Sequence, residues 1–307
     1  MIYCCQKTCL LCAGVDWMYQ NFIPGQYPSC FRGDPPVLSY IWKKRVGESF
    51  SPPRIMHSHD EISELLLVIE GSANYTVGES QYIIQEGDIV AIGAGVLHDE
   101  DARLTADTTM VAVGLRQVRL IGLPDGALVD AATCPVLSLG DSFPVFRSVL
   151  DTIHSLLNDN GEQYAETCQF LMAGLVSLFV RLYQHNAESD APSGKGEQFV
   201  GRIRQYIEAH YSETISLPSV SRALHINPYY LAHIFKEHTG YSPMQYVIRL
   251  RIGKAQGLLM YTDYPITQIA GMVGYDNSSH FNAMFTKYIG MSPGKYRKKF
   301  RSSKGGK

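Results

Sequence analysis

The C-terminal third of the chain contains one residue pattern twice. Each copy is preceded by mostly apolar positions at helical spacing, Leu217, Val220, Ser221 and Leu224 before the first copy and Ile266, Ile269, Ala270 and Val273 before the second. Five residues are identical 50 positions apart: Phe235, Gly240, Ser242, Pro243 and Tyr246 match Phe285, Gly290, Ser292, Pro293 and Tyr296. A repeat of this kind constrains the fold, because both copies must form the same supersecondary unit.

Each copy predicts two helices joined by a tight turn. In the second copy, Gly274 should end the first helix, Asp276 or Asn277 should cap the next, and Gly290 should end that one. Helix, tight turn and helix is the arrangement with which many proteins read DNA. A long helix from Ser242-Pro243 to about Met260 is predicted to join the two units. Gly253 and Gly257 would each cost that helix about 1 kcal/mol relative to Ala, and close approach of another helix would explain them.

The stretch 265–297, PITQIAGMVGYDNSSHFNAMFTKYIGMSPGKYR, is more specific than a generic helix pair. It resembles the signature of the AraC/XylS-type bacterial transcription regulators, in which I-x-x-I-A-x-x-V-G-[YF] leads to F-x-x-x-F and then to G-x-S-P-x-x-[YF]-R. The resemblance implies an all-α DNA-binding domain with two helix-turn-helix units, here expected over residues 198–301.

The charge distribution agrees with a DNA-binding C-terminal part. Residues 198–307 carry 15 Lys and Arg against 5 Asp and Glu, whereas residues 1–197 carry 12 against 24. A basic half joined to an acidic half indicates a polyanionic partner for the basic half alone.

The N-terminal part predicts a small β domain over residues 37–130. Short β-type runs at 37–42, 64–70, 74–77, 81–85, 88–92 and 110–115 are separated by turn glycines, as in a small barrel or jelly roll. The pattern His57-x-His59-x4-Glu64, followed by His98, resembles the two motifs of the cupin family. The predicted fold class is therefore α+β: a cupin-like β-barrel with a helical hairpin, followed by the all-α domain.

Three interpretations of His57, His59, Glu64 and His98 stay open. In metal-bearing cupins the matching positions bind a divalent metal, and imidazoles with one carboxylate suit Zn, Fe, Mn or Ni. The same residues could instead form the polar part of a ligand pocket with no metal required, or a structural network. Further candidates for the pocket lining are Arg54, Tyr75 and Trp42.

Residues 131–186 predict two helices, 143–158 and 164–185, with a break at Gly161. The second is apolar nearly all round and therefore needs cover on several sides. Either the pair leaves apolar surface for a homodimer interface, as is frequent in the resembling family, or it only caps the core of the barrel.

The remaining segments are expected to be connections. Residues 187–197 are small and polar and predict a linker, and residues 1–36 predict an N-terminal tail. In that tail Cys4, Cys5, Cys9 and Cys12 could hold a soft metal, the alternative being an unpatterned tail. Seven cysteines, an odd number, fit free thiols in a reducing cytoplasm. With no signal peptide and no stretch near the ~20 apolar residues of a membrane helix, a cytoplasmic protein without membrane contact is expected.

Family alignment assigns DNA contacts to the outward positions of the recognition helices. Because Ala283 offers only a methyl group where Arg or Lys is frequent, the first repeat is expected to contribute more to discrimination. Expected base contacts are Tyr229, Ala232 and His233 in the first helix, and Ser278, Ser279, Asn282 and Ala283 in the second. Expected phosphate contacts are Lys236, Arg249, Arg251, Lys287, Arg297, Lys298 and Lys299.

These features predict a dimeric transcription regulator, not an enzyme. It would bind double-stranded promoter DNA and respond to a small-molecule effector in the cupin-like domain. The resemblance suggests control of carbohydrate or other catabolic genes, a sugar among the candidate effectors, and contact with RNA polymerase if the protein is an activator. The alternatives are a metal-dependent cupin enzyme with an appended DNA-binding domain, and a constitutive regulator without effector.

Overall fold

The computed structural model describes residues 28–45, 55–78, 80–100, 108–131, 133–187 and 195–302. Arg54 and the four cysteines Cys4, Cys5, Cys9 and Cys12 lie outside the described residues, so the predictions made for them stay untested. The three cysteines within the described ranges, Cys30, Cys134 and Cys168, are free thiols, as expected.

The N-terminal half forms two antiparallel sheets. All six predicted runs are strands, which confirms the β part of the predicted α+β fold. One sheet has the order β1-β7-β2-β5-β8 and the other β4-β3-β6. The strands are β1 Val37–Arg45, β2 Ile62–Glu70, β3 Ser72–Val77, β4 Ser80–Gln85, β5 Asp88–Ile92, β6 His98–Glu100, β7 Thr109–Arg116 and β8 Val136–Ser138.

The central strand β2 is buried on both of its faces. Leu65 and Leu67 point to the helix-covered side, whereas Leu66 and Val68 point to the space between the two sheets. Successive residues of a strand face opposite sides, so only a continuous apolar run can fill both layers. This explains why β2 reads as Leu-Leu-Leu-Val-Ile instead of alternating apolar and polar residues.

Helix α1, Phe143–Ala187, covers the outer face of the larger sheet. The helical conformation is not interrupted at Gly161, so the predicted break takes the form of a bend within α1 and not of a gap between two helices. The segment nevertheless folds back on itself. Phe143 lies against Gly87 at one end of β5, and the Tyr183 hydroxyl donates to the Cys134 carbonyl near the other end. These points are about 17 Å apart along the strand, whereas a straight helix of 45 residues would span about 67 Å.

The second part of α1, residues 162–185, is unusually apolar. Glu162–His185 has the length and composition of a membrane-crossing helix, although no such stretch was expected. In the structure Met172, Val176 and Phe179 are fully buried in the core beneath the sheet. Packing within the chain thus accounts for the buried third of this apolar segment and leaves other apolar side chains, such as Phe170, exposed.

The C-terminal half consists of seven helices among the described residues, and two of them, α4 and α7, are built alike. Asn227 and Asn277 cap their N-termini by accepting from two backbone N–H groups each. Gly240 and Gly290 end them at φ 73° and 79°, the left-handed conformation that glycine adopts without strain. The helices are α2 Lys195–His210, α3 Leu217–Leu224, α4 Pro228–Thr239, α5 Pro243–Tyr261, α6 Ile266–Met272, α7 Ser278–Ile289 and α8 Pro293–Ser302.

The two halves share part of a core. Ile55 and Met56, which precede the first predicted site histidine, are buried among the apolar residues of α2–α8. The backbone N–H of Ile55 donates to Gln256 on α5. Gly253 permits this approach, because a Cβ there would lie 2.0 Å from the Met56 carbonyl oxygen. The close neighbour of Gly253 is therefore the segment that leads into the histidine motif of the β domain and not another helix.

Candidate functional site

The four residues singled out in the β domain converge on one site. His57, His59, Glu64 and His98 each present a ligand atom, and these atoms all lie within 4.8 Å of one another. The β-bridge between His57 and His98 brings the two sequence motifs together, with reciprocal backbone hydrogen bonds of 2.9 Å. The bridge thus places the residues of the two motifs side by side.

Glu64 is the buried anchor of this cluster. Its carboxylate lies 2.9 Å from Nε2 of His98 and 3.7 Å from Nε2 of His59, and it accepts from the Tyr40 hydroxyl. Burial by itself would raise the pKa of Glu64. The hydrogen bond and charge of His98, the charge of His59 and the Tyr40 hydrogen bond outweigh burial and lower the pKa to about 2. Glu64 therefore stays ionised at neutral pH.

The register of the sheet explains how Tyr40 reaches Glu64. Both residues pair with Gly114 of β7, from opposite sides. A Cβ on Gly114 would lie 2.4 Å from the Tyr40 ring, so only glycine lets this ring cross the strand. Sequence reasoning missed Tyr40, because its role depends on three strands in register.

The donor set fits a divalent metal. Nδ1 of His98 lies 3.0 Å from the Val96 carbonyl oxygen, which orients the ring so that Nε2 faces Glu64. Such a backbone contact on the second ring nitrogen is typical of metal-binding histidines. Three imidazoles and one ionised carboxylate are a ligand set that transition metals accept. The cluster could hold such an ion.

The other predicted lining residues have different surroundings. Tyr75 is buried and its ring stacks on His98 at a centroid distance of 6.4 Å, so it backs the cluster. Trp42 packs at the edge of the apolar layer between the sheets.

The burial of Arg249 contradicts the prediction that this residue contacts phosphate. Arg249 is 4% exposed, and its Nε lies 2.7 Å from a carboxylate oxygen of Asp99, the residue after His98. Its guanidinium also lies 4.6 Å from the centroid of the Tyr241 ring. Because the whole side chain is enclosed between the two halves, it joins the helical domain to the strand that carries His98.

Arg251 also forms hydrogen bonds within the chain. Its Nε and Nη2 donate to the carbonyl oxygens of Tyr211 and Glu213, each at 2.7 Å. The guanidinium thereby holds the turn after α2 against α5, which leaves fewer of its N–H groups for the phosphate contact predicted for Arg251. Arg297 is intermediate, because one of its nitrogens donates to the Tyr264 carbonyl while the side chain stays partly exposed.

The outward faces of α4 and α7 carry the residues predicted to contact bases. Tyr229 is 86% exposed and the His233 side chain 80% exposed, while Ala232 is half-buried. On α7, Ser279, Asn282 and Ala283 are exposed and Ser278 is half-buried. The exposed lysines around these faces are Lys236, Lys287 and Lys298, with Lys299 half-buried.

In comparisons with known proteins, each of the two parts of the chain matches a described domain family. Residues 220–299 match a family described as a helix-turn-helix domain, and residues 44–114 match the cupin domain. An uncharacterized HTH-type transcriptional regulator, YdiP of Escherichia coli K12, is 27% identical over 80% of this chain and 82% of its own length. The melibiose operon regulatory protein of the same strain is 25% identical over 86% of this chain and 91% of its own.

One solved structure resembles the C-terminal part alone. The C-terminal domain of AraT, a response regulator from Geobacillus stearothermophilus, is 37% identical over 34% of this chain and 88% of that chain, with a TM-score of 0.34. The full-length relatives named above are transcription regulators and not enzymes.

Proposed function

We propose that the chain is a transcription regulator of the AraC/XylS type, that it binds promoter DNA sequence-specifically, and that a small molecule bound by its β domain changes that binding. The cupin-like part would sense the effector and the two helix-turn-helix units would read the DNA. The alternative of an enzyme is not favoured by any of its named relatives.

One observation carries the DNA-binding proposal. Helices α4 and α7 have the same caps and the same buried aromatic position, Phe235 or Phe285, and both turn a polar outer face to solvent. A helix anchored on one side and exposed on the other can enter a major groove without unfolding its support. Asn282, Ser279 and His233 carry groups that can hydrogen-bond to base edges.

A gel-shift experiment with the promoter region of its own gene tests this function. We expect a shift with that DNA at salt concentrations at which a scrambled duplex gives none, because base contacts add to the salt-sensitive phosphate contacts. Equal shifts of the two duplexes, with and without candidate effectors, would contradict the proposal.

We also infer that the first repeat discriminates between sequences more than the second. Replacing Tyr229 or His233 by Ala should each reduce the ratio of specific to non-specific affinity by about 1–3 kcal/mol per lost base contact. Ala283→Ser, which keeps the helix and adds only a small polar group, is the matched comparison in α7. Unchanged ratios in both first-repeat variants would refute the asymmetry.

The effector site is proposed to lie at the histidine cluster. His57, His59, Glu64 and His98 would hold a divalent metal if one is resident, and the metal would supply an open position for an oxygen atom of the effector. Elemental analysis of the purified protein tests this part. A stoichiometric metal that is lost in His98→Ala supports a metal centre, whereas a metal-free wild type leaves a polar pocket. The melibiose regulator among the relatives makes a sugar effector a reasonable first candidate.

A cytoplasmic homodimer is the proposed working form. Phe170 on α1 is 68% exposed, an unusual position for a large apolar side chain. Phe170→Glu should shift a dimer toward monomer in sedimentation velocity, while Glu166→Gln, a change at another exposed position of the same helix, should not. If both variants sediment like the wild type, α1 does not form the interface.

A further inference from the structure

The two reading helices, α4 and α7, have the same scaffold, so their outward residues can be compared position by position. Phe235 and Phe285 lie 50 positions apart, and so do the caps Asn227 and Asn277. Both phenylalanine rings are fully buried, which turns the same side of each helix to solvent. A difference in the bases that the two helices prefer must therefore come from their outward side chains.

Four outward positions on each helix form one continuous stripe. Spacings of three, four and seven residues place their side chains within about 100° of the helix circumference. The stripe is about 10 Å long, which is the rise of about three base pairs at about 3.4 Å each. All of these side chains are exposed except the half-buried Ala232. The α4 stripe consists of Tyr229, Ala232, His233 and Lys236, and the α7 stripe of Ser279, Asn282, Ala283 and Thr286.

The α7 stripe is uncharged and carries methyl groups where the α4 stripe carries nitrogen donors. With the offset of 50 residues, His233 corresponds to Ala283 and Lys236 corresponds to Thr286. Guanine is read in the major groove mainly by Arg or Lys, which donate to its O6 and N7 atoms. Lys287 is exposed, but it lies about 100° around the helix from Thr286 and so beside the stripe. The α7 stripe therefore lacks the usual reader of guanine.

The remaining polar groups of α7 favour adenine. His280 is directed away from the stripe, because its ring contacts the ring of the buried Tyr275 at a centroid distance of 5.4 Å. Asn282 is exposed, and its amide forms no hydrogen bond within the part of the chain that the structure describes. An amide oxygen and an amide nitrogen match the N6 donor and the N7 acceptor of adenine at the same time.

We infer that the second helix-turn-helix unit selects A·T base pairs, with Asn282 bonded to adenine and the methyl groups of Ala283 and Thr286 against thymine. The 5-methyl group of thymine is the apolar feature of the major groove that Ala and Thr contact. The inference rests on the proposed function, because it names the bases that α7 reads. The first unit has a different preference, since His233 and Lys236 donate to guanine.

Selection of duplexes from a random pool by the full chain supplies the DNA for the test. We expect two conserved boxes with centres about 10 bp apart, one of them made of A·T pairs. Uracil in place of thymine removes only the methyl group, and in this box it should raise the dissociation constant about fourfold per methyl. Replacing adenine by 7-deazaadenine removes N7 and should raise the constant about 2- to 10-fold. The same replacements between the boxes should have no effect.

Variants of α7 connect these penalties to single side chains. Asn282→Ala should bind the adenine and 7-deazaadenine duplexes equally, because the partner of N7 is gone. Thr286→Ser removes only the γ-methyl group and keeps the hydroxyl, so it should reduce the penalty for uracil. His233→Ala, the matched control in the first unit, should retain both penalties in the A·T box. All three residues are exposed, so the fold is expected to tolerate these changes.

A graft between the repeats tests the inference in the opposite direction. Combining Ala283→His with Thr286→Lys puts the donors of the α4 stripe on the α7 scaffold. A repeated selection should then return guanine in the box that was made of A·T pairs.

The outcomes separate this inference from the proposed function. Two selected boxes whose affinity is insensitive to uracil and to 7-deazaadenine overturn the inference and leave sequence-specific binding intact. A guanine-rich box that responds to Asn282→Ala has the same consequence. A selection that enriches no sequence overturns the proposed function, and the inference falls with it.

Discussion

Replacing Arg249 by Met should destabilise the protein without acting through DNA. The guanidinium approaches Asp99 with two nitrogens, at 2.7 and 2.5 Å, and the two side chains are 5% and 0% exposed. Removing Arg249 takes away a guanidinium that compensates the buried charge of Asp99, and breaking a buried ion pair in this way costs about 3–5 kcal/mol. We expect a loss of this size in the free energy of unfolding, because water cannot reach the remaining Asp99 carboxylate.

A double variant separates this charge effect from a packing effect. Combining Arg249→Met with Asp99→Leu removes both charges and should recover most of the lost stability, since an apolar pair often replaces a buried ion pair at little cost. The two single changes should thus be strongly non-additive. Arg222→Met is the matched control, because Arg222 is an exposed arginine on α3, and it should change stability by less than about 0.5 kcal/mol.

Urea unfolding followed by far-UV circular dichroism provides the assay. In the wild type we expect the two halves to unfold together, and in Arg249→Met the helical domain should unfold at a lower urea concentration. The reasoning is refuted if Arg249→Met is no less stable than Arg222→Met. It is also refuted if Arg249→Met retains full stability and loses only DNA affinity, which is the behaviour of a phosphate contact.

Three further predictions follow from single positions. Gly253→Ala should weaken the docking of α5 on the 55–56 segment, because the added Cβ would meet the Met56 carbonyl oxygen. Gly257→Ala, with open space around the added Cβ, should stabilise α5 by about 1 kcal/mol. Thermal denaturation should therefore give a lower Tm for the first variant and a higher Tm for the second. Burial raises the pKa of Tyr275 to about 12 despite the nearby Arg251 charge. Above pH 10 the unfolded chain therefore ionises first, and stability should fall by up to about 3 kcal/mol by pH 12, a loss that Tyr275→Phe should lack in urea titrations. Replacing either capping residue, Asn227 or Asn277, by Ala should cost about 1 kcal/mol, and calorimetry would contradict the capping role if neither change lowers Tm.

The local features of this fold could be predicted because their causes lie within a few residues. Asn277 and Gly290 bound α7 as expected, since a cap and a left-handed glycine act on their own helix. The bounds of β5 were also predicted to the residue, since turn glycines flank this strand directly. Gly161 is the exception, because the low helix propensity of one glycine costs only about 1 kcal/mol and does not by itself end the helical run.

The candidate site was predictable only in part. The spacing of the histidines and Glu64 identified the cluster, but Tyr40 joins it through strand register. Arg249 looked like a basic surface residue, and only the docking of α5 brings it to Asp99, 150 positions earlier in the chain. Contacts between distant segments leave no local pattern in a single sequence.

Hydroxyl-radical footprinting on the promoter of its own gene tests the central account most directly. If α4 and α7 both enter the major groove, one chain should protect two short segments on one face of the duplex with centres about 10 bp apart. Tyr229→Ala together with His233→Ala should remove one of these segments, and Asn282→Ala should weaken the other. Protection that is uniform along the duplex, or that survives scrambling of the sequence, would contradict sequence-specific reading by two helix-turn-helix units.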